Sequence, residues 1–323
     1  MFTLHRRVCL ILVAACLTLS GCTSSRIENC INTGPHPGLV VFGDSYSDTG
    51  NIAIGNAINL PDPFDGGRFS NGLVLAEHLA NHLGTNLEPS LHTIRCCDGY
   101  NYAVGGGNVV GTKRQDLSRQ VDDYLRRVSQ AANPSAVFFI MIGGNDIRQM
   151  NTSISAAQVD LELQTIADTL FNQVQRLIDA GAQTIIVANS GDMGELPGSN
   201  DELDDNPTVL SSYSQQFNTM FNARISTLTL GSATVIPFNL FDAMTTIIDA
   251  LETDPSKNTT QACIDLDIDF ERLVDSGFGT SGPLPFVNGC SDAELDNFVF
   301  FDSVHATAAT HQLLFNKLLP VLP

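Results

Sequence analysis

Gly38-Leu39-Val40-Val41-Phe42-Gly43-Asp44-Ser45-Tyr46-Ser47-Asp48-Thr49-Gly50-Asn51 is the stretch whose reading decides the fold. Four apolar residues run without a break into Gly43, after which polar residues crowd together. An uninterrupted apolar run of this length, bounded by glycine, predicts a short buried strand over Leu39–Phe42. Gly43 is read as allowing a sharp turn. Ser45 then falls just beyond the strand's carboxyl end, where open parallel sheets place their ligands.

Further along the chain, buried-strand runs are predicted at Tyr100–Val104, Ala136–Ile142, Thr184–Ala188 and Ala233–Pro237. Between them the period is helical: about 72–83, with Asn71 as its cap, then 115–131, 155–180, 208–230 and 241–251. A last helix covers 306–318. Apolar strands alternating with helices imply a parallel sheet covered on both faces. No repeat of 20–50 residues appears, so a solenoid is excluded. Residues 254–297 fit no regular pattern and read as a long functional loop or inserted flap.

The first residues stand apart. His5-Arg6-Arg7 precede an apolar run, Val8–Leu19, too short to span a bilayer. That is the pattern of a signal peptide over 1–21. Its end, Leu19-Ser20-Gly21-Cys22, resembles a bacterial lipobox. The resemblance implies cleavage before Cys22, a lipid on its sulfur and, with Thr23 next, an outer-membrane destination. Residues 22–37 would then be a tether and 38–323 a single domain.

Charge narrows the partners. The chain carries 16 basic and 35 acidic residues, a net charge of −19. Losing Arg6 and Arg7 with the signal leaves −21. Such a surface repels nucleic acid and anionic headgroups, and steering favours neutral or cationic substrates. Cys30, Cys96, Cys97, Cys263 and Cys290 remain beyond the anchor, with no Cys-x-x-Cys pair to suggest zinc. In an exported chain, disulfides Cys263–Cys290 and Cys30 with Cys96 or Cys97 are expected.

Three predicted strands end in glycine and polar residues: Gly43-Asp44-Ser45, Gly105-Gly106-Gly107 and Gly143-Gly144-Asn145-Asp146. A fourth polar cluster, Asp302-Ser303-Val304-His305, precedes the last helix. Together they form the parts of an acyl-transfer site. Ser45 needs a base, His305 can take its proton, and Asp302 can orient the imidazole. The Ser45 and Gly106 backbone N–H groups and the Asn145 amide can stabilise an oxyanion.

In order and content these blocks resemble the SGNH hydrolases, also called the GDSL esterase/lipase family. The extension Ser47-Asp48-Thr49-Gly50-Asn51, Asn101-Tyr102-Ala103-Val104-Gly105-Gly106 and Gly67-Arg68-Phe69-Ser70-Asn71-Gly72 add to the likeness. The resemblance implies a three-layer α/β/α sandwich with a flavodoxin-like, five-stranded parallel sheet. It implies Ser45, Asp302 and His305 as the catalytic set, with Ser45, Gly106 and Asn145 as the oxyanion hole. Gly105 is the alternative for the glycine donor. A small ester or a lipid is the expected substrate, with no cofactor and no metal. A phospholipid or acyl-transfer substrate and an acetylated carbohydrate are the alternatives on the same site. A catalytically inactive surface binding protein is the alternative outside the enzymes. The Gly-x-Ser-x-Gly elbow of the α/β-hydrolases is absent.

Five lesser features carry weaker signals. His78 and His82 lack the His-Glu-x-x-His order of a zinc helix. Asp265, Asp267 and Asp269 alternate as on an edge strand rather than a calcium loop. His311 has no acid three residues before it. Asp146 is expected either to support its loop or to touch substrate. Asn151-Thr152-Ser153 and Asn258-Thr259-Thr260 match the glycosylation pattern only formally.

Overall fold

The computed structural model describes residues 38–55, 60–95, 99–200, 206–266 and 284–323. The proposed signal, Cys22 and the pairing of Cys30 with Cys96 or Cys97 lie outside them. The central sheet has four parallel strands in the order β1 (Leu39–Gly43), β2 (Val137–Met141), β3 (Thr184–Ala188) and β4 (Thr234–Phe238). Every residue of β1 is buried, as an apolar run between two helix layers requires. The helices are α1 (Asn51–Gly55), α2 (Leu75–His82), α3 (Leu117–Arg127), α4 (Gly144–Arg148), α5 (Ala156–Asp179), α6 (Pro207–Ile225), α7 (Leu240–Glu252) and α8 (Ala308–Leu318).

The expected fifth strand, Tyr100–Val104, is not a strand. It runs parallel to β1 but makes only one bridge to it, Val41 to Asn101, with a second from Asn101 to Pro89 on its other side. The Val41 N–H donates to Tyr100 O and the Tyr102 N–H to Val41 O. The next rung would use the Gly43 N–H, and a side chain has taken it. Gly43 N donates to Gln120 Oε1 at 2.9 Å, and Gln120 Nε2 returns a bond to Gly43 O at 2.7 Å. Asn51 Nδ2 claims the Asn101 and Ala103 carbonyls on the other side. The segment therefore keeps its place beside β1, on the side away from β2, and the Val104 N–H still donates to Gly43 O at 3.2 Å, while a buried amide side chain takes the rung between. β1 is consequently the point where successive connections diverge, the position at which parallel sheets open a crevice.

A second correction concerns 254–297. Within it, β5 (Asn258–Ala262) pairs in parallel with β6 (Phe298–Phe300). Disulfide Cys263–Cys290, with Cα atoms 5.2 Å apart, clips the segment next to β5. β5 does not alternate in hydrophobicity, so its pairing had no period to reveal it. Asp265 is exposed just after Ile264, which bridges Phe286; Asp267 and Asp269 fall outside the described residues.

The core has two parts. The larger lies between the sheet and its helices, with Phe42, Phe138, Phe139, Ile185 and Phe217 fully buried. The smaller packs Ile52, Phe64, Phe69, Val104, Phe298 and Phe301 under the β5–β6 segment. Asn71 does not cap α2, whose N-cap is Val74. Its Oδ1 instead accepts from the Ala308 N–H at the start of α8.

Candidate active site

The polypeptide leaves β1 at Gly43, where a side chain is excluded for a different reason from a turn. A Cβ there would stand 2.7 Å from Met141 O of the neighbouring strand. The turn beyond it is shaped by carboxylates. Asp44 Oδ1 accepts from the Tyr46 N–H, and Asp44 O accepts from the Ser47 and Asp48 N–H groups. Asp48 gathers four backbone donors: Gly50 and Asn51 on Oδ1, Ile52 and Gly105 on Oδ2. Burial raises the pKa of Asp44 and of Asp48 to about 6 in each case.

Ser45 lies at the mouth of this turn, and His305 meets it from the far end of the chain. Ser45 Oγ and His305 Nε2 are 2.7 Å apart. His305 Nδ1 faces both Asp302 oxygens, at 2.9 and 2.8 Å. The same Asp302 Oδ1 also accepts from the Val304 and His305 N–H groups. The acid thus folds the loop that presents the base, as aspartate side chains do in tight turns. Phe301 N–H to His305 O, 2.7 Å, closes that loop. Asp302 and His305 are fully buried, and Ser45 is nearly so.

Two aromatic rings hold the imidazole. Phe69 stacks on it at 5.1 Å between centroids, with planes 27° apart. Tyr46 lies 5.7 Å away, and its hydroxyl donates to Val304 O. The Gly67–Gly72 segment also contributes Ser70 Oγ, which donates to Ala306 O, and Arg68, whose guanidinium pairs bidentately with Glu77. The segment's resemblance to longer family members pointed to it, but its task, bracing the His305 loop, was not legible.

The candidate oxyanion donors stand on three separate loops. Among the described residues, the Ser45 and Gly106 backbone N–H groups have no partner. The Gly105 N–H is committed to Asp48, which leaves Gly106 as the free donor of the pair. Gly106 sits at φ +71°, a conformation that favours glycine. Asn145 Nδ2 spends one proton on Gly107 O at 2.9 Å, and that bond fixes the amide beside the glycine loop. Asp146 binds the Val109 and Val110 N–H groups, so it supports the loop and is absent from the cleft wall. Its pKa is raised to about 7, chiefly by burial.

Beyond these groups opens a cleft with about 820 Å³ of empty space, part of it continuous with solvent. Ser45 and Asn145 lie in it, and Met141, Met193, Leu196, Leu240, Met244 and Ile248 line it. These wall residues come from the end of β2, the loop that follows β3 and α7. No local sequence signal marked them as one wall, because they meet from three separate segments. Gln120, which positions Gly43, did leave a signal. It falls on the inward face of α3 with Leu117 and Tyr124, where an amide is out of pattern.

The lesser candidates have structural surroundings. His78 stacks on Phe315 of α8, and His82 lies tilted against the same ring. His311 is buried, accepts from the Leu75 N–H on Nδ1 and packs edge-on to Tyr46. Burial, with His78 and His305 nearby, lowers its pKa to about 3. Among the described residues no group of three or more His, Cys, Asp or Glu is arranged to hold a metal, and no helix is long and apolar enough to cross a membrane.

Comparison with known proteins gives a consistent picture. A family model described as GDSL-like Lipase/Acylhydrolase matches residues 39–318. The chain is 26% identical to a thermolabile hemolysin of Vibrio parahaemolyticus, over 87% of this chain and 62% of that protein. The chain thus spans less than two thirds of the hemolysin's length. It is 26% identical to one GDSL esterase/lipase of Arabidopsis thaliana over 91% of each chain. A second from the same plant is 27% identical, over 89% of this chain and 83% of the relative.

Proposed function

The chain belongs to the GDSL-like lipase/acylhydrolase family, and on that premise we propose that it hydrolyses carboxylic esters through an acyl-enzyme on Ser45. The observation that carries the reading is the unbroken series Ser45 Oγ, His305 Nε2, His305 Nδ1, Asp302. His305 takes the Ser45 proton as Oγ attacks the ester carbonyl. Asp302, buried against Nδ1–H, holds the tautomer and stabilises the imidazolium. The oxyanion enters the space faced by the Ser45 and Gly106 N–H groups and the second Asn145 amide proton. His305 then protonates the leaving alcohol, which departs. Water, deprotonated by the same imidazole, releases the acid and restores the serine. Every step is proton transfer and acyl transfer, carried by side chains already in contact.

The long apolar wall supports an ester with an acyl chain of several carbons, a lipid or lipid-like ester, over an acetylated carbohydrate. An inactive binding role is disfavoured because the nucleophile, base and acid are all present and joined. For the amino terminus we propose export and lipid attachment at Cys22, which would place the domain at a membrane surface.

The test is turnover of nitrophenyl esters of increasing chain length. Ser45→Ala is expected to lose roughly four orders of magnitude or more in kcat, as loss of a triad serine does. A Ser45→Ala protein that turns over undiminished would overturn the reading. Cys22→Ser should shift the protein from the membrane pellet to the soluble fraction and abolish incorporation of labelled palmitate. Unchanged fractionation would dismiss the anchor.

A further inference from the structure

Among the described residues the cleft is lined by one cation, and none of them pairs with it. Arg148 lines the cleft together with Ser45 and Asn145. It lies three residues beyond Asn145 on α4, and residues so spaced share a helix face. Arg148 is half-buried. Its Nε is shielded from solvent without a hydrogen-bond partner, and the guanidinium forms no ion pair among the described residues. Asp192 and Glu195 line the same cleft without pairing to it.

That is an unusual state for an arginine. Arg68, Arg126, Arg176 and Arg224 are all paired with a carboxylate. The chain has 35 acidic residues from which to supply a partner. A guanidinium with a desolvated donor is costly unless something accepts from it. Its planar fork fits the paired oxygens of a phosphate or carboxylate.

Resting on the esterase reading, we infer that Arg148 is the residue that selects for an anionic group on the ester substrate, a phosphate or carboxylate lying one helical turn from the oxyanion donors. The neighbouring wall of Met193, Leu240 and Met244 then holds the apolar chain of the same molecule. The substrate class is an anionic amphiphilic ester. The overall negative charge does not oppose this at close range, because salt screens it beyond about 8 Å while a half-buried contact is screened far less. It does oppose long-range approach, so the KM for such an ester should fall as ionic strength rises from very low values.

The experiment compares matched esters on the wild type, Arg148→Met and Arg148→Lys. Dihexanoylglycerol and dihexanoylphosphatidate differ by a phosphate on the alcohol side. Nitrophenyl hexanoate and nitrophenyl adipate differ by a carboxylate on the acyl side. Arg148→Met should lower kcat/KM for at least one charged ester by about 10- to 100-fold, through KM, the range expected for a charge-assisted contact. Both neutral esters should stay within about twofold. Arg148→Lys should recover part of the loss, since it keeps the charge but not the fork. Which charged ester suffers identifies the side that carries the anion. Equal loss on charged and neutral esters, or no loss on either charged ester, would overturn the inference. Calorimetric binding of dihexanoylphosphatidate and of adipate monoester to Ser45→Ala, with and without Arg148→Met, reads the same contact without turnover. Failure of the wild type to cleave any ester would therefore count against the esterase reading alone.

Discussion

The two walls of the cleft are built on opposite principles. On the Ser45 side, between β1, α1 and the 101–110 loop, buried polar side chains do the holding. Asp48 satisfies four backbone N–H groups, and Asn51 and Asn101 bridge strand and loop. Gln120 replaces a rung of the sheet. On the far side, the side chains of Met193, Leu196, Leu240, Met244 and Ile248 meet one another by apolar packing, with Ser214 holding the backbone at Met193. A hydrogen-bonded network fixes positions to within a fraction of an ångström, and leaving one member unsatisfied is costly. A wall of methionine and leucine accepts shape changes with little penalty. On the proposed function, the reacting atoms stand on the first kind of wall and the variable part of the substrate on the second. On that proposal the division would let one geometry of attack serve different acyl chains.

That contrast can be broken experimentally. On the polar wall, Asn145→Ala removes an oxyanion donor and should lower kcat by about 10²–10³-fold with little change in KM. A drop of less than threefold would remove Asn145 from the site. Asp48→Asn keeps the shape but turns an N–H₂ toward backbone N–H groups. It should destabilise the fold by about 2–4 kcal/mol in urea denaturation, with kcat falling as the Gly105–Gly107 loop shifts. A loss below about 0.5 kcal/mol would mean the four bonds are not cooperative. On the apolar wall, Met244→Trp should shorten the cleft. The expected result is about a tenfold fall in kcat/KM for octanoate relative to acetate nitrophenyl esters, with stability changed by less than about 1 kcal/mol. An unaltered chain-length profile would place the acyl chain elsewhere.

The smallest effect tests the electrostatics of the polar wall. Burial raises Asp146 to about 7, whereas an unfolded aspartate titrates near 3.9. Between those values the folded protein holds more protons, so this group's contribution is complete below about pH 4 and is lost as pH rises through 7. Asp146→Asn cannot ionise. Its melting temperature relative to wild type should therefore rise by a few degrees between pH 4 and pH 8. A difference independent of pH would mean that Asp146 titrates alike in both states.

The acidic surface and the unpaired Arg148 form a second contrast, of scale rather than construction. Net charge sets what approaches from a distance, and it argues against anions. A single guanidinium inside a cleft sets what is kept. Composition is a poor guide to the second, because one residue in 323 leaves it almost unchanged.

What the sequence alone determined was the set of candidate site residues and the order of the layers. Ser45, Asn145, Asp302 and His305 were legible because each stands at the end of an apolar run or just before a terminal helix, and local pattern marks such ends. The four strands of the sheet were legible because burial on both faces demands continuous apolar residues. Tertiary structure decided the rest, wherever a partner lies far away in sequence. The Tyr100–Val104 segment has a strand's composition, yet the Gln120 amide, 77 residues from Gly43, intercepts its ladder. β5 has no strand pattern, yet β6 and the Cys263–Cys290 clip give it one side to pair with. Phe69 on His305, and the methionines that face Ser45, meet only when separate loops close over one sheet edge. Local period can announce an element, but it cannot say which side chain from elsewhere will complete or replace it.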